Sequence, residues 1–585
     1  MKTFLLSMAG AFVAIFLFII VSFFTLAALI GAAAAGSDSQ PDEMVLTLDL
    51  REPLTDQAPV SGFAAFSNQQ GFTDILVKID AAANDDDVKG IFIRASEGAV
   101  GSARAEELRD ALKDFRESGK FVVAHTQGSL LSSGPSAYRA ISAADEIWMQ
   151  PGTELAVTGL SFETQFLKGL LDNLSVTAEI EALYEYKNAP NSYKNETYTE
   201  PHREALAVLA ESVWSVSIAD IAEDRGLQAA NLRTLLESGP IPAEIAQERA
   251  LVDTLGWPED ARDAAKDRAD GADFVSLTAY DAPTGRPGAP MIAVVGGEGP
   301  IITGSGGNDP FASTVGFGSD RVARAILDAG ENDSVEAIVF RVDSPGGSPT
   351  ASDQIWNAIE RVQADGTPVI VSMGSVAASG GYYVSAGADH IIANDTTITG
   401  SIGIFGGKLA IGEGLQRIGV NVESVTVGGT WTEAFSVDRF TEEQRADMIS
   451  LLERGYDRFT GIVAEGRGMT QEEVHEQARG RVWSGADALE RGLVDSIGGF
   501  RDAVDVAKVE AGLETEDRVQ LIYYPARQTG FEALEDAFGV SAQAAGSAAR
   551  LGALANDPRL NALIDEIEAA RSGALQARGP VLIER

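Results

Sequence analysis

"VEAIVFRVDSPGGSPTASDQIWNAIERVQADGTPVIVSMGSVAASGGYY", residues 335–383, runs twice through one pattern. A β-branched run, "VEAIVFRVDS", breaks at Pro345-Gly346-Gly347. A helix follows, with Ile355, Ile359 and Val362 on one face and Gly366 at its end. "TPVIVSMG" is the next strand, and "ASGGYY" opens the next helix. Strands alternating with helices predict an α/β fold with a mostly parallel sheet and right-handed crossovers. Sites on such sheets lie at the carboxyl ends of strands, and here those ends are the Pro-Gly-Gly turn and Ser379.

The pattern is also present elsewhere in the chain. Residues 44–132 align without a gap on 291–379 at a constant spacing of 247. Met44 falls on Met291, Ile79 on Ile326, Ala82 on Ala329, Asp86 on Asp333, Arg94 on Arg341, Gly119 on Gly366 and Val122 on Val369. Farther on, "ERALVDTLG" (248–256) answers "ERGLVDSIG" (490–498) at a spacing of 242. A frame held this long marks a duplication. The expected units are a first repeat over 40–280, a second over 285–510, and an extension over 511–585 with an Ala-rich stretch at 542–555. The charged helical stretches 201–235 and 432–475 carry no chemical motif and read as spacers or interaction arms.

With 585 residues, 45% apolar and 22% charged, the chain can build several packed units. Its formal net charge of −41 is spread along the sequence, which argues against nucleic acid as a partner. There is no cysteine, so disulfides, a thiolate nucleophile and a cysteine zinc site are excluded. After Met1-Lys2-Thr3, residues 4–36 carry no charge. That run exceeds both the roughly 20 residues that span a bilayer core and the roughly 7–15 of a secretory apolar region. Residues 1–36 are therefore expected to form a short cytoplasmic stub and one uncleaved transmembrane helix, with the acidic bulk outside. A cleaved signal peptide, with "AAAA" at 32–35 as the cut site, is the competing reading.

Ser379 sits at the first turn of a helix, where backbone N–H groups and the helix dipole favour a developing oxyanion. Gly346 and Gly347 offer unhindered N–H groups beside it. A turn and a helix cap would account for each feature alone; their placement after consecutive strands favours a nucleophile with an oxyanion hole. The histidines are His125, His202, His390 and His475, and none has a motif relation to Ser379. A Ser-His-Asp triad is thus unsupported. The remaining base is a lysine, whose unperturbed pKa of about 10.4 must fall by several units through desolvation.

"SPGGS", "AASGGYY", "TGSIG" and "RVWSGADALERGLVDSIGG" resemble the signal peptide peptidase A family in its long, duplicated form, over nearly all of residues 40–510. The resemblance implies two tandem crotonase/Clp-protease-like domains after the N-terminal transmembrane helix, and a Ser/Lys-dyad serine protease of peptidase family S49. It makes Ser379 the nucleophile and Lys187, in "YKNA" (186–189), the general base. It makes Ser401, in "TGSIG", the residue that positions the lysine amine. Gly347 and Gly380, with Gly346, become the oxyanion donors. No metal or cofactor is implied.

The two repeats then divide the work. The first has Ser132 or Ser133 near the place of Ser379, and Ala99 and Val100 in place of Gly346 and Gly347. The second has Trp431 where Lys187 would fall. Lys194 and Lys408 are the competing bases. The implied substrates are cleaved signal peptides and similar apolar peptides, at the periplasmic face of a bacterial inner membrane. Lipid contact would run through residues 4–36, and the implied assembly is a ring-like homotetramer. An acyl-CoA hydratase or isomerase shares the implied fold but needs a carboxylate beside the oxyanion hole. A non-catalytic membrane scaffold has no need to keep "SPGG" and "SGG" in one repeat.

Overall fold

The computed structural model describes residues 40–526 apart from 53, 59–69, 96–97, 99, 129–133, 284–287 and 307–315, together with residues 577–578. The expected anchor, Ser132, Ser133, Ala99 and the Ala-rich stretch lie outside the described residues.

Two sheets carry the fold, one per repeat, the second parallel except where Val482–Ser484 pairs antiparallel with Ile398–Gly400. The first runs Thr254–Leu255, Glu146–Met149, Phe121–Thr126, Val88–Arg94, Met44–Asp49, Asp273–Ser276, parallel throughout. The second runs Val482–Ser484, Ile398–Gly400, Val369–Ala378, Val335–Ser344, Met291–Glu298, Gln520–Tyr524, with His390–Ala393 also paired to Val369–Ala378. The central strands are near-continuous apolar runs because helices cover both their faces. Even an irregularity is duplicated: the register slips after Met44, opposite Val88, and again after Met291, opposite Val335.

Gln520–Tyr524 lies on Met291–Glu298 as Asp273–Ser276 lies on Met44–Asp49. The second repeat therefore continues beyond residue 510, and the expected boundary there is too early. Helix Phe500–Glu510 is followed by the short edge strand that closes the sheet.

The repeats do not fold as separate beads. Ile292, Val294, Ala337, Val339 and Ile370 of the second sheet share one apolar cluster with Phe72, Ile75, Ile79, Leu108 and Phe115 of the first repeat. Phe500, Ala503 and Ala507 complete that cluster. Helix Glu200–Asp224 is long and apolar enough to cross a membrane, yet half of its apolar window is buried. Leu209 and Val213 on it pack against Ile398 and Val482 of the second repeat, so it is a core helix and not a spacer.

Charges are buried in the same junction. Arg341, fully buried on Val335–Ser344, donates two 2.9 Å hydrogen bonds to the Asp56 carboxylate and one of 2.8 Å to Glu107 Oε1. Glu107 Oε2 also accepts the Phe500 N–H at 2.8 Å. Arg104 of the first repeat reaches Glu298 at 2.9 Å and Asp343 at 3.1 Å. Buried charges are tolerated only when paired, so this network fixes how one repeat seats on the other.

A strand exchange completes the junction. Thr177–Ala182 of the first repeat pairs antiparallel with Phe405–Ala410 of the second, Ala182 opposite Phe405 and Thr177 opposite Ala410. It delivers the segment after Ala182 to the second repeat.

Arg341→Met strands two buried carboxylates. It is expected to cost about 3–5 kcal/mol, read as a fall in the denaturant midpoint. Arg324→Ala, at an exposed 3.9 Å pair with Asp328, should cost less than about 1 kcal/mol.

Candidate active site

Ser379 terminates strand Val369–Ala378 and caps helix Gly380–Ser385, with φ +55° and ψ −113°. A non-glycine residue there is strained by roughly 1–3 kcal/mol, and such strain concentrates at functional sites. Two backbone bonds hold it: Ser379 N–H donates to Gly400 O at 2.8 Å, and its carbonyl accepts the Tyr383 N–H at 2.9 Å.

The Pro-Gly-Gly turn lies against this helix start. A Cβ on Gly380 would stand 3.0 Å from Gly347 N, and one on Gly347 would stand 2.0 Å from Ile301 O. Gly380 lets the helix start approach the turn, and Gly347 lets the turn approach the Ile301 backbone. Gly346, at φ +97°, donates its N–H to Ser344 Oγ at 3.1 Å. Its N–H is thus engaged in shaping the turn. All three expected oxyanion donors are brought together, a Cβ on Gly380 also standing 3.2 Å from Gly346 Cα, but the Gly346 N–H is taken by Ser344. Gly346–Gly347 also pairs as a short antiparallel strand with Ala577–Arg578.

Lys187 arrives from the first repeat on the segment that follows the exchanged strand. Leu183 N–H donates to Ile404 O and Tyr186 N–H to Arg479 O, both at 3.2 Å. Gly480, at φ +84°, lets the chain pass, since a Cβ there would lie 2.5 Å from Lys187 N. The side chain is 3% exposed. Its Nζ lies 2.8 Å from Ser379 Oγ, 2.9 Å from Ser401 O and 3.0 Å from Ser401 Oγ. Burial alone pushes the amine down to about 7. A neutral amine has two N–H groups and one lone pair. The N–H groups fit the two Ser401 oxygens, and the lone pair is left for the Ser379 hydroxyl proton.

The competing groups are placed elsewhere. Lys194 Nζ donates to Ile180 O at 2.6 Å, near Glu181. Lys408 Nζ donates to Ser436 O at 3.0 Å over the Phe440 ring. His390 meets Ser496, His475 meets Tyr456 and His125 meets Gly256 O. Trp431, in the place of a second lysine, is in a short helix and partly exposed. Ser344 and Gly480 shape the site without having been singled out in the sequence. Ser344 lay in plain view beside "PGG"; Gly480, in "ARGRVW", gives no local signal.

Comparison with known proteins follows this geometry. The model of "Peptidase family S49" matches residues 114–271 and again 361–514, and that of "Clp protease" matches 317–398. "Protease 4" of Haemophilus influenzae is 33% identical over 479 residues, 76% of this chain and 74% of that protein. "Protease 4" of Salmonella typhi is 32% identical over 487 residues, 80% of this chain and 76% of that protein. "Serine protease SPPA, chloroplastic" of Arabidopsis thaliana is 26% identical over 492 residues, 82% and 71% respectively.

Gly480→Ala sets a methyl group against the Lys187 backbone and is expected to lift the amine away from Ser379. Amine-selective labelling followed by mass spectrometry reads this. The midpoint for Lys187 should rise from about 7 toward the ordinary lysine value of about 10.4.

Proposed function

The chain belongs to peptidase family S49, and from that premise we propose that it is a membrane-anchored serine endopeptidase in which Ser379 and Lys187 form the dyad. The observation that carries this reading is the 2.8 Å contact between a buried, desolvated amine and a strained serine hydroxyl. Lys187 takes the Ser379 proton as Oγ attacks the scissile carbonyl. The N–H groups of Gly347 and Gly380 receive the oxyanion, and Lys187 returns the proton to the leaving amine. Water, deprotonated by the same lysine, then releases the acyl group. Ser401 holds the amine through its carbonyl and hydroxyl. No step calls for a cofactor.

The Gly346–Gly347 edge accepts an extended backbone antiparallel, which is how a peptide substrate would add itself as a strand. Ser379 itself is buried among small residues, so a substrate strand would have to reach it along this edge. With residues 4–36 as a single-pass anchor in a bacterial inner membrane and the repeats in the periplasm, the substrates at hand are cleaved signal peptides and similar apolar segments.

The duplication also supports the homotetramer. The spacing of 244 that carries Glu146–Met149 onto His390–Ala393 carries the exchanged pair onto residues 421–426 and 161–166. Within 420–427 the valines stand open, Val425 wholly so; residues 161–166 alternate exposed with half-buried. Pairing 421–426 of one copy with 161–166 of the next repeats the internal junction between chains, and a head-to-tail contact of this kind forms a ring when its rotation closes.

Ser379→Ala and Lys187→Ala should each lower kcat/KM on an apolar peptide by at least about a thousand-fold, while Lys194→Ala stays near wild type. Full activity in Lys187→Ala would remove the dyad. In the wild type kcat/KM should rise with pH through a midpoint near 7, because only the deprotonated amine accepts the serine proton. Val425→Lys should shift the assembly to monomers in light scattering; an unchanged mass excludes the strand contact.

A further inference from the structure

A neutral Lys187 that keeps its lone pair for Ser379 gives both N–H groups to Ser401, one to the carbonyl and one to Oγ. Ser401 Oγ is then an acceptor, and its own hydrogen must point elsewhere. If it pointed back at Lys187 it would occupy the lone pair that Ser379 needs. Something has to hold the Ser401 hydroxyl in the useful orientation.

A small cavity adjoins Ser401, lined also by Tyr186, Asn188, His202, Leu206 and Gly480, with room for about one water. His202 is 3% exposed on helix Glu200–Asp224, and neither ring nitrogen has a hydrogen-bond partner among the described residues. The ring is set edge-on against Tyr198 at 4.8 Å, and the capping Thr199 hydroxyl accepts the backbone N–H of His202. Leaving buried polar nitrogens unsatisfied is unfavourable by about 1–3 kcal/mol each. The cavity that His202 shares with Ser401 is the polar space beside them. Burial holds the imidazole at a pKa of about 4, so it is neutral and one nitrogen is an acceptor.

We propose that His202 is a positioning residue of the proteolytic site: through one water in this cavity it draws the Ser401 hydroxyl hydrogen away from Lys187 and keeps Oγ as an acceptor for the amine. The proposal rests on the reading of Lys187 as base. The charged groups on the surrounding elements form pairs of their own, although Arg481 Nε is buried without a partner among the described residues. Arg481 pairs with Glu204 at 2.7 and 2.8 Å and lies over the Tyr186 ring, and Arg479 pairs with Glu185 at 2.9 Å. Tyr198 donates its hydroxyl to Phe162 O at 3.2 Å.

The test compares His202→Phe, which keeps a ring and removes both nitrogens, with His202→Asn and His202→Gln, which each restore a polar group. In His202→Phe, kcat should fall about ten-fold with KM unchanged. The acid limb of the pH profile should move below its wild-type midpoint, since the ammonium loses an acceptor and the neutral amine gains a donor. One of the two amide variants should recover most of both. On a Ser401→Ala background, His202→Phe should add no further loss. Wild-type kcat and limb in His202→Phe, or additive losses in the double variant, overturn the proposal. A crystal structure of the wild type provides a check that needs no variant to fold. It should show a water bonded to both a His202 nitrogen and Ser401 Oγ, and a dry cavity sinks the idea. Hydrolysis persisting in Ser379→Ala would instead overturn the dyad and leave the water bridge to the crystal structure.

Discussion

The amine of Lys187 reaches Ser379 at 2.8 Å without a counter-charge, and the proposed chemistry depends on that contact. Desolvation is the only influence that lowers its pKa, and a carboxylate in contact would restore the ammonium form. The junction between the repeats is nevertheless rich in buried charge. Arg341, Asp56, Glu107 and Arg104 satisfy one another among strands and helices of the junction, and none of them bears on the lysine. The ion network and the apolar cluster set the relative position of the repeats. The exchanged strand then converts that position into a 2.8 Å contact.

Backbone strain is present on both serines that face the lysine. Ser379 and Ser401 both have positive φ, and each is pinned by its own N–H, Ser379 to Gly400 O and Ser401 to Arg481 O. The surrounding glycines allow close approach where a side chain would collide, at Gly347 against Ile301 and at Gly480 against Lys187. Rigid strands hold these loops from behind, so the hydroxyl, the amine and the paired glycines are in place before a substrate arrives.

Much of this was legible in the sequence because the signals are local or periodic. The alternation in 335–383 gave the parallel sheet, and the constant spacing of 247 gave the duplication. Ser379 and the Gly-Gly turn announce themselves by following consecutive strands. Lys187 does not: "YKNA" has no physical signature of a base, and its role depends on a ladder between residues 177–182 and 405–410 that no local pattern encodes. It was found by resemblance. Gly346 looked like its neighbour until its N–H was seen to serve Ser344. The strand Gln520–Tyr524 was lost beyond an early boundary, although it keeps the same spacing from Asp273–Ser276. His202 has no motif relation to Ser379 in the sequence, because burial of a helix face against another repeat is a tertiary fact.

The split of the site between repeats also has a temporal side. During synthesis the amine at 187 emerges nearly two hundred residues ahead of the serine at 379, and Ser401 follows later still. A ribosome-bound chain that has folded only its first half therefore holds a base with nothing to deprotonate. With the proposed dyad, destructive activity is withheld from the nascent protein and its neighbours until the last strands have closed.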